Sequence, residues 1–139
     1  MKTETTLRLA TAAGTSLRFD AQFPKHSITL DSGPEPTAPS PMHHLLAAIG
    51  GCAAMDVISI LRKKRLQISA YEVELEAERA ETHPKRLLSV TLVHRVTGRG
   101  VPLAAVEESV RLSAERYCSV RHTLDPAMPM TDRCEVIEG

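Results

Sequence analysis

The segment SPMHHLLAAIGGCAAMDVISILRKKR, Ser40 to Arg65, carries more structural information than any other part of the chain. Serine is a good N-cap, and Pro41 falls at the first helical position, where its missing N–H costs nothing. Leu45, Leu46, Ala48, Ile49, Cys52, Ala53, Met55, Ile58, Ile60 and Leu61 follow on every side of the helix that this start predicts. A helix that is apolar all round is a buried one. Arg62-Lys63-Lys64-Arg65 closes it as a solvated last turn that favours the helix dipole. Gly50-Gly51 sits in its interior, where each glycine costs about 1 kcal/mol. Close approach of another backbone or of a substrate is the usual reason for such a pair.

Upstream, Thr6–Ala10 and Leu17–Ala21 flank a Gly14-Thr15-Ser16 turn, and Ser27–Leu30 is rich in β-branched residues. All three read as short strands. Asp31–Pro41 holds four prolines and a glycine and reads as a loop. Downstream, Tyr71, Val73, Leu75 and Ala77 alternate with Glu72, Glu74, Glu76 and Glu78, which predicts a strand with one wet face. Leu88, Val90, Leu92, His94 and Val96 alternate likewise, and the Glu81–Lys85 link predicts an antiparallel hairpin. Pro102 opens a second helix with a stripe at Leu103, Val106, Val110, Ala114 and Tyr117. Cys118–His122 reads as a turn or short helix and Met130–Ile137 as a last strand. The fold class is therefore α+β, in one domain over 1–139. Two hairpins and one amphipathic helix cannot cover the central helix on all sides in a monomer of this size. The expected remedy is an obligate homodimer with more than about 2,000 Å² of interface.

Composition narrows the function. Lysine plus arginine and aspartate plus glutamate are equal at 17 each, and aromatics are only 3%. These values argue against nucleic-acid binding, by charge or by base stacking, and against electrostatic membrane binding. No apolar signal-peptide core follows Met1-Lys2-Thr3-Glu4-Thr5, and the longest uncharged apolar run, Leu45–Met55, is too short to span a bilayer. The expectation is a soluble, cytoplasmic protein. No P-loop, dinucleotide fingerprint or nucleophile elbow is present. No C-x-x-C exists, and the adjacent His43 and His44 point about 100° apart on a helix, so no metal site and no cofactor are expected.

Three cysteines do not make a disulfide scaffold. Cys52 is too far along its helix for the N-terminal dipole to activate it, so activation requires a cation from another segment. Asp56, one turn on, would oppose activation if it faced the same way. Cys118 is flanked by Arg116 and Arg121, which predicts electropositive surroundings. Cys134, in the alternating series Met130, Asp132, Cys134, Val136, reads as a packing residue. Each cysteine also has the plain reading of a small core side chain.

The 40–65 string resembles the signature helix of the OsmC/Ohr family of thiol peroxidases, and LSAERYCSVRHTL, residues 112–124, resembles that family's second cysteine segment. The opening Ser-Pro-Met, the Met-Asp after the cysteine and the Lys-Lys-Arg end are most similar to its OsmC-like redox subgroup. The resemblance implies an OsmC-like fold, with antiparallel sheets wrapped around a long buried central helix in an intertwined dimer. It implies a peroxidatic Cys52 and a resolving Cys118 at the dimer interface, an organic hydroperoxide substrate and an external dithiol reductant, as in oxidative stress defence. Two other functions fit the same fold: binding of a small hydrophobic ligand at the dimer cleft without catalysis, and thiol redox sensing. The family pairs a glutamate at the helix start with an arginine of the early hairpin. Here Met42, His43 and His44 stand at the start, and Arg18 and Arg8 are the arginine candidates. His43 is the third helical residue, where a capping-box glutamate would sit, and is expected not to return that hydrogen bond. Arg18, Arg8 and His43 are thus the auxiliary candidates.

Overall fold

The computed structural model describes residues 1–139 as two compact units, Met1–Ala47 and Ala48–Gly139. The first unit holds β1 (Thr6–Leu9), β2 (Arg18–Gln22) and β3 (Ser27–Asp31), an antiparallel meander in that order. Asp31 ends the meander and organises the proline-rich loop. Its carboxylate accepts from the backbone N–H of Gly33 (2.9 Å) and of Thr37 (3.0 Å), and from the Thr37 hydroxyl (3.1 Å). The two backbone donors and that hydroxyl, together with nearby Arg18, outweigh the effect of burial and hold Asp31 below the usual carboxylate range.

The helix α1 spans Pro41–Lys63. Ser40 caps it as expected, its Oγ accepting from the His43 N–H at 3.3 Å. The expectation for the His43 ring is overturned. Its Nδ1 accepts from the Ser40 N–H at 3.4 Å and lies 3.0 Å from the Ser40 Oγ. An imidazole with Nδ1 unprotonated supplies the same lone pair that a capping-box glutamate would, so the reciprocal cap closes without a carboxylate. His44 is fixed too, its Nε2 lying 2.7 Å from the Thr29 carbonyl.

In the second unit, Ile49, Ala53, Val57 and Leu61 form one buried i,i+4 stripe on α1. Val57 and Leu61 pack with Val96, Val101, Val106 and Val110, and with the partly buried Ile68, Tyr71, Cys134 and Val136. Within one chain α1 is thus buried along one stripe and not all round; Met55, on another face, is 72% exposed. Although α1 is long and apolar enough to cross a membrane, this stripe is built into a protein core. The two glycines differ. A methyl at Gly50 would lie 2.5 Å from the Leu75 Cδ1, whereas at Gly51 it would meet nothing within 4 Å. Only Gly50 fits the expectation of close approach.

The second sheet has the order β4 (Ile68–Arg79), β5 (Leu87–Gly98), β6 (Met130–Glu138). The β4–β5 hairpin is antiparallel, with the Glu72, Glu74, Glu76 and Glu78 face exposed. Arg95 on β5 binds Glu72, Glu74 and Glu135 across all three strands. The last pairing departs from the antiparallel expectation, because β6 runs parallel to β5. Helices α2 (Leu103–Leu112) and α3 (Ser119–Thr123) lie between them, and a connection of that length returns the chain to start β6 in the same sense. The chain between those helices, Ser113–Tyr117, is a π-helical turn. Its wider turn rotates the stripe expected from Leu103 to Tyr117: Val106 and Val110 are buried, Tyr117 swings out and Cys118 turns in.

Gly98, at the end of β5, is a stringent packing test. A Cβ there would collide with the backbone carbonyl of Gln67 and lie 2.8 Å from the Val101 Cγ2. Gly98→Ala is expected to cost about 1–3 kcal/mol, the range for overpacking, read as a lower urea midpoint with unchanged slope. An unchanged midpoint would contradict this packing.

Candidate active site

Cys52 and Asp56 are one helical turn apart and share a face of α1. The π-turn brings Cys118 to that face, with its N–H donating to the Ser113 carbonyl at 2.8 Å. The Cys52 Sγ, the Cys118 Sγ and a carboxylate oxygen of Asp56 all lie within 4.8 Å of one another. The Ser113 hydroxyl donates to Asp56 Oδ2 at 2.8 Å. Cys118 is 1% exposed and caps α3, its sulfur accepting from the Arg121 N–H at 3.4 Å. Cys52 is half-buried, and its sulfur lies 3.7 Å from the Ser119 Oγ.

The two thiols are tuned in opposite directions. Burial pushes the Cys52 thiol up. The Val120 N–H, the Ser119 hydroxyl, the Cys118 thiol and the Ser119 N–H together outweigh it, so Cys52 lies below the ordinary thiol value. Burial pushes Cys118 up as well. The Arg121 N–H opposes this, but the Cys52 sulfur and the Asp56 carboxylate add to it, and Cys118 stays above the ordinary value. The expectation that Cys52 needs a cation is thereby corrected: neutral N–H and O–H donors from the Cys118 segment do the work. The expectation of electropositive surroundings for Cys118 also fails. Arg116 is exposed, and Arg121 offers the sulfur only its backbone N–H. The Arg121 guanidinium instead binds Asp132 Oδ2 at 2.9 Å.

Asp132 belongs to a buried network that sequence reading did not assemble. His94, read from sequence as one more inward residue, is fully buried. Its Nδ1 lies 2.7 Å from the Tyr71 hydroxyl and its Nε2 lies 3.2 Å from Asp132 Oδ1. The inward polar residue in an apolar alternation was the available signal. Cys134, beside Asp132 on β6, packs against the valine cluster. Burial, then Glu107 and Asp132, push its thiol up to about 11, as suits a packing residue.

The auxiliary candidates lie in the first unit. The Arg18 Nη1 donates to the Thr37 Oγ1 at 2.9 Å, and its Nε lies 3.9 Å from Asp20. Arg8 stands opposite Asp20 in the β1–β2 register. His43 is engaged in the cap of α1. No glutamate–arginine pair stands at the helix start.

Two cysteine segments on such a scaffold define a class of protein. The family model for OsmC-like protein matches residues 33–131, and the chain belongs to that family. It is 45% identical over 112 residues to Protein YhfA of Escherichia coli strain K12, a match covering 81% of this chain and 84% of that protein. A solved OsmC-like protein from Mycoplasma pneumoniae superposes with a TM-score of 0.78 at 17% identity, over 99% of this chain and 97% of the other. The organic hydroperoxide resistance protein OhrB of Bacillus subtilis shares the fold, with a TM-score of 0.60 at 12% identity over 99% and 98% of the two chains. These neighbours confirm the OsmC/Ohr fold expected from the sequence.

The Ser119 hydroxyl is the most accessible of the donors to Cys52. Ser119→Ala should slow alkylation of Cys52 by iodoacetamide at pH 7 about fivefold, in line with the ~1 kcal/mol of one hydrogen bond. Alkylation at the wild-type rate would show that the backbone donors act alone.

Proposed function

We propose that this protein reduces organic hydroperoxides through a dithiol–disulfide cycle, with Cys52 as the peroxidatic and Cys118 as the resolving cysteine. The observation that carries the reading is the close pair of sulfurs with opposed acidities. The Cys52 thiolate attacks the terminal oxygen of ROOH. The O–O bond breaks, RO⁻ takes a proton and leaves as ROH, and Cys52 becomes a sulfenic acid. Cys118, kept as a thiol until then, attacks the sulfenic sulfur, and water leaves as the disulfide forms. An external dithiol reduces the disulfide by two exchange steps. The reading places the cycle in the cytoplasm, where a reducing poise can regenerate the dithiol. Arg18, Arg8 and His43 enter the reading as auxiliary groups only.

The reading includes a homodimer. One chain leaves Met55 on α1 and Leu7, Leu9, Leu17, Phe19 and Ile28 of the first unit exposed. A second copy of the chain is the expected cover.

Cys52→Ser should abolish consumption of cumene hydroperoxide with dihydrolipoamide as reductant. Cys118→Ser should allow one turnover and leave a sulfenic acid that dimedone traps on Cys52. Turnover by Cys52→Ser, or unchanged wild-type thiols after one equivalent of peroxide, would overturn the reading. Sedimentation should give about twice the chain mass of 15.2 kDa at micromolar concentration; a monomer would remove the dimer.

A further inference from the structure

The proposed cycle uses two sulfurs and leaves Asp56 without a part. Its carboxylate makes one hydrogen bond, from Ser113 to Oδ2, and no ion pair. Of the two arginines that flank the second cysteine, Arg116 is exposed and Arg121 turns its guanidinium to Asp132. A half-buried carboxylate therefore sits beside two ionisable sulfurs with no cation to balance them.

We propose that the reduced protein binds one thiophilic divalent cation, with zinc(II) the fitting ion, through the Cys52 Sγ, the Cys118 Sγ and a carboxylate oxygen of Asp56. Tetrahedral zinc, with Zn–S of about 2.3 Å and Zn–O of about 2.0 Å, sets two sulfurs and one oxygen roughly 3.5–3.8 Å apart. The three atoms already lie within 4.8 Å of one another, so side-chain adjustment of about 1 Å completes the set. Cys52 and Asp56 come from one face of α1, and Cys118 from the turn opposite. The Ser113 hydroxyl holds the Asp56 carboxylate through Oδ2, the outer-shell support that orients a ligating carboxylate. The Ser119 hydroxyl and the Arg121 N–H face the two sulfurs and disperse thiolate charge. Two thiolates select zinc over magnesium or calcium. Three protein ligands leave the fourth position to water, on the side where Cys52 is open to solvent.

Binding is linked to redox state. A Cys52–Cys118 disulfide removes two of the three ligands, so the site exists only in the reduced protein. A metal-bound Cys52 sulfur commits a lone pair to zinc, and the ion should therefore slow attack on peroxide. This consequence rests on the peroxidase reading, whereas binding itself does not.

The test uses the full-length protein, reduced, stripped with chelator and titrated anaerobically with cobalt(II), then with zinc(II) against a chromophoric chelator. One cobalt per chain, with thiolate-to-metal charge-transfer absorption and the visible bands of a tetrahedral ion, is the expected result. Asp56→Ala and Asp56→Asn should each weaken zinc binding at least tenfold while keeping the wild-type circular dichroism and elution volume. Cys134→Ser should bind as the wild type does, and the diamide-oxidised protein should not bind. Absence of the cobalt–thiolate band, wild-type affinity in both Asp56 variants, or loss of binding in a folded Cys134→Ser would overturn the proposal. Binding with these dependences in a protein that consumes no peroxide would sink the peroxidase reading alone. Peroxide turnover without a cobalt band would sink the metal site alone.

Discussion

The Ile49–Ala53–Val57–Leu61 stripe of α1 is the contact on which the second unit depends. Each fully buried aliphatic side chain contributes about 1.5–3 kcal/mol by removal from water, and Val57 and Leu61 are completely buried. Their cluster joins α1 to β5, to β6 and to α2. Once that stripe is committed, the rotation of α1 is fixed. The 3.6-residue period then sets the face that carries Cys52 and Asp56. Packing thus sets the position of the Cys52 sulfur.

The partner sulfur is placed by a local irregularity. A regular helix from Leu103 onward would continue past Tyr117. The π-turn Ser113–Tyr117 ends it with the Cys118 N–H bonded five residues back to Ser113. Ser113 is doubly employed, since its carbonyl holds Cys118 and its hydroxyl holds Asp56. The chain restarts as α3 with Cys118 as its cap, so the first amides of α3 face Cys52 and the Arg121 amide faces Cys118. Burial alone would raise both thiols. The uneven supply of donors separates them, as the proposed dithiol cycle would require.

The turn is secured from behind by Arg121, Asp132, His94 and Tyr71. Burial raises Asp132, but His94 and Arg121 more than offset it and hold the carboxylate below its usual range. The Arg121–Asp132 pair keeps only 15% and 18% of its side-chain surface exposed, so removing one partner would leave the other largely shielded and unpaired, which is costly. The network ties α3 to β6, β5 and β4 together, so the segment carrying the amides is fastened to all three strands of the second sheet.

Much of this was legible in the sequence. Ser40-Pro41 marked the start of α1 because capping is a local property of the backbone. The alternations in β4 and β5 marked one hairpin because side chains of a strand point to opposite faces. The two cysteine strings identified the family. Other features lay beyond local reading. Whether His43 could replace a capping glutamate depended on its ring torsion, since only Nδ1 turned back to Ser40 completes the cap. The direction of β6 depended on where a long crossover returned the chain. The acidity of Cys52 depended on amides from residues 119 and 120, far along the chain, and its neighbourhood with Asp56 and Cys118 depended on the π-turn. Local sequence determines what each segment does with its own backbone hydrogen bonds; which segments meet, and so which thiol is stabilised as an anion, is decided only when the apolar stripe of α1 is buried.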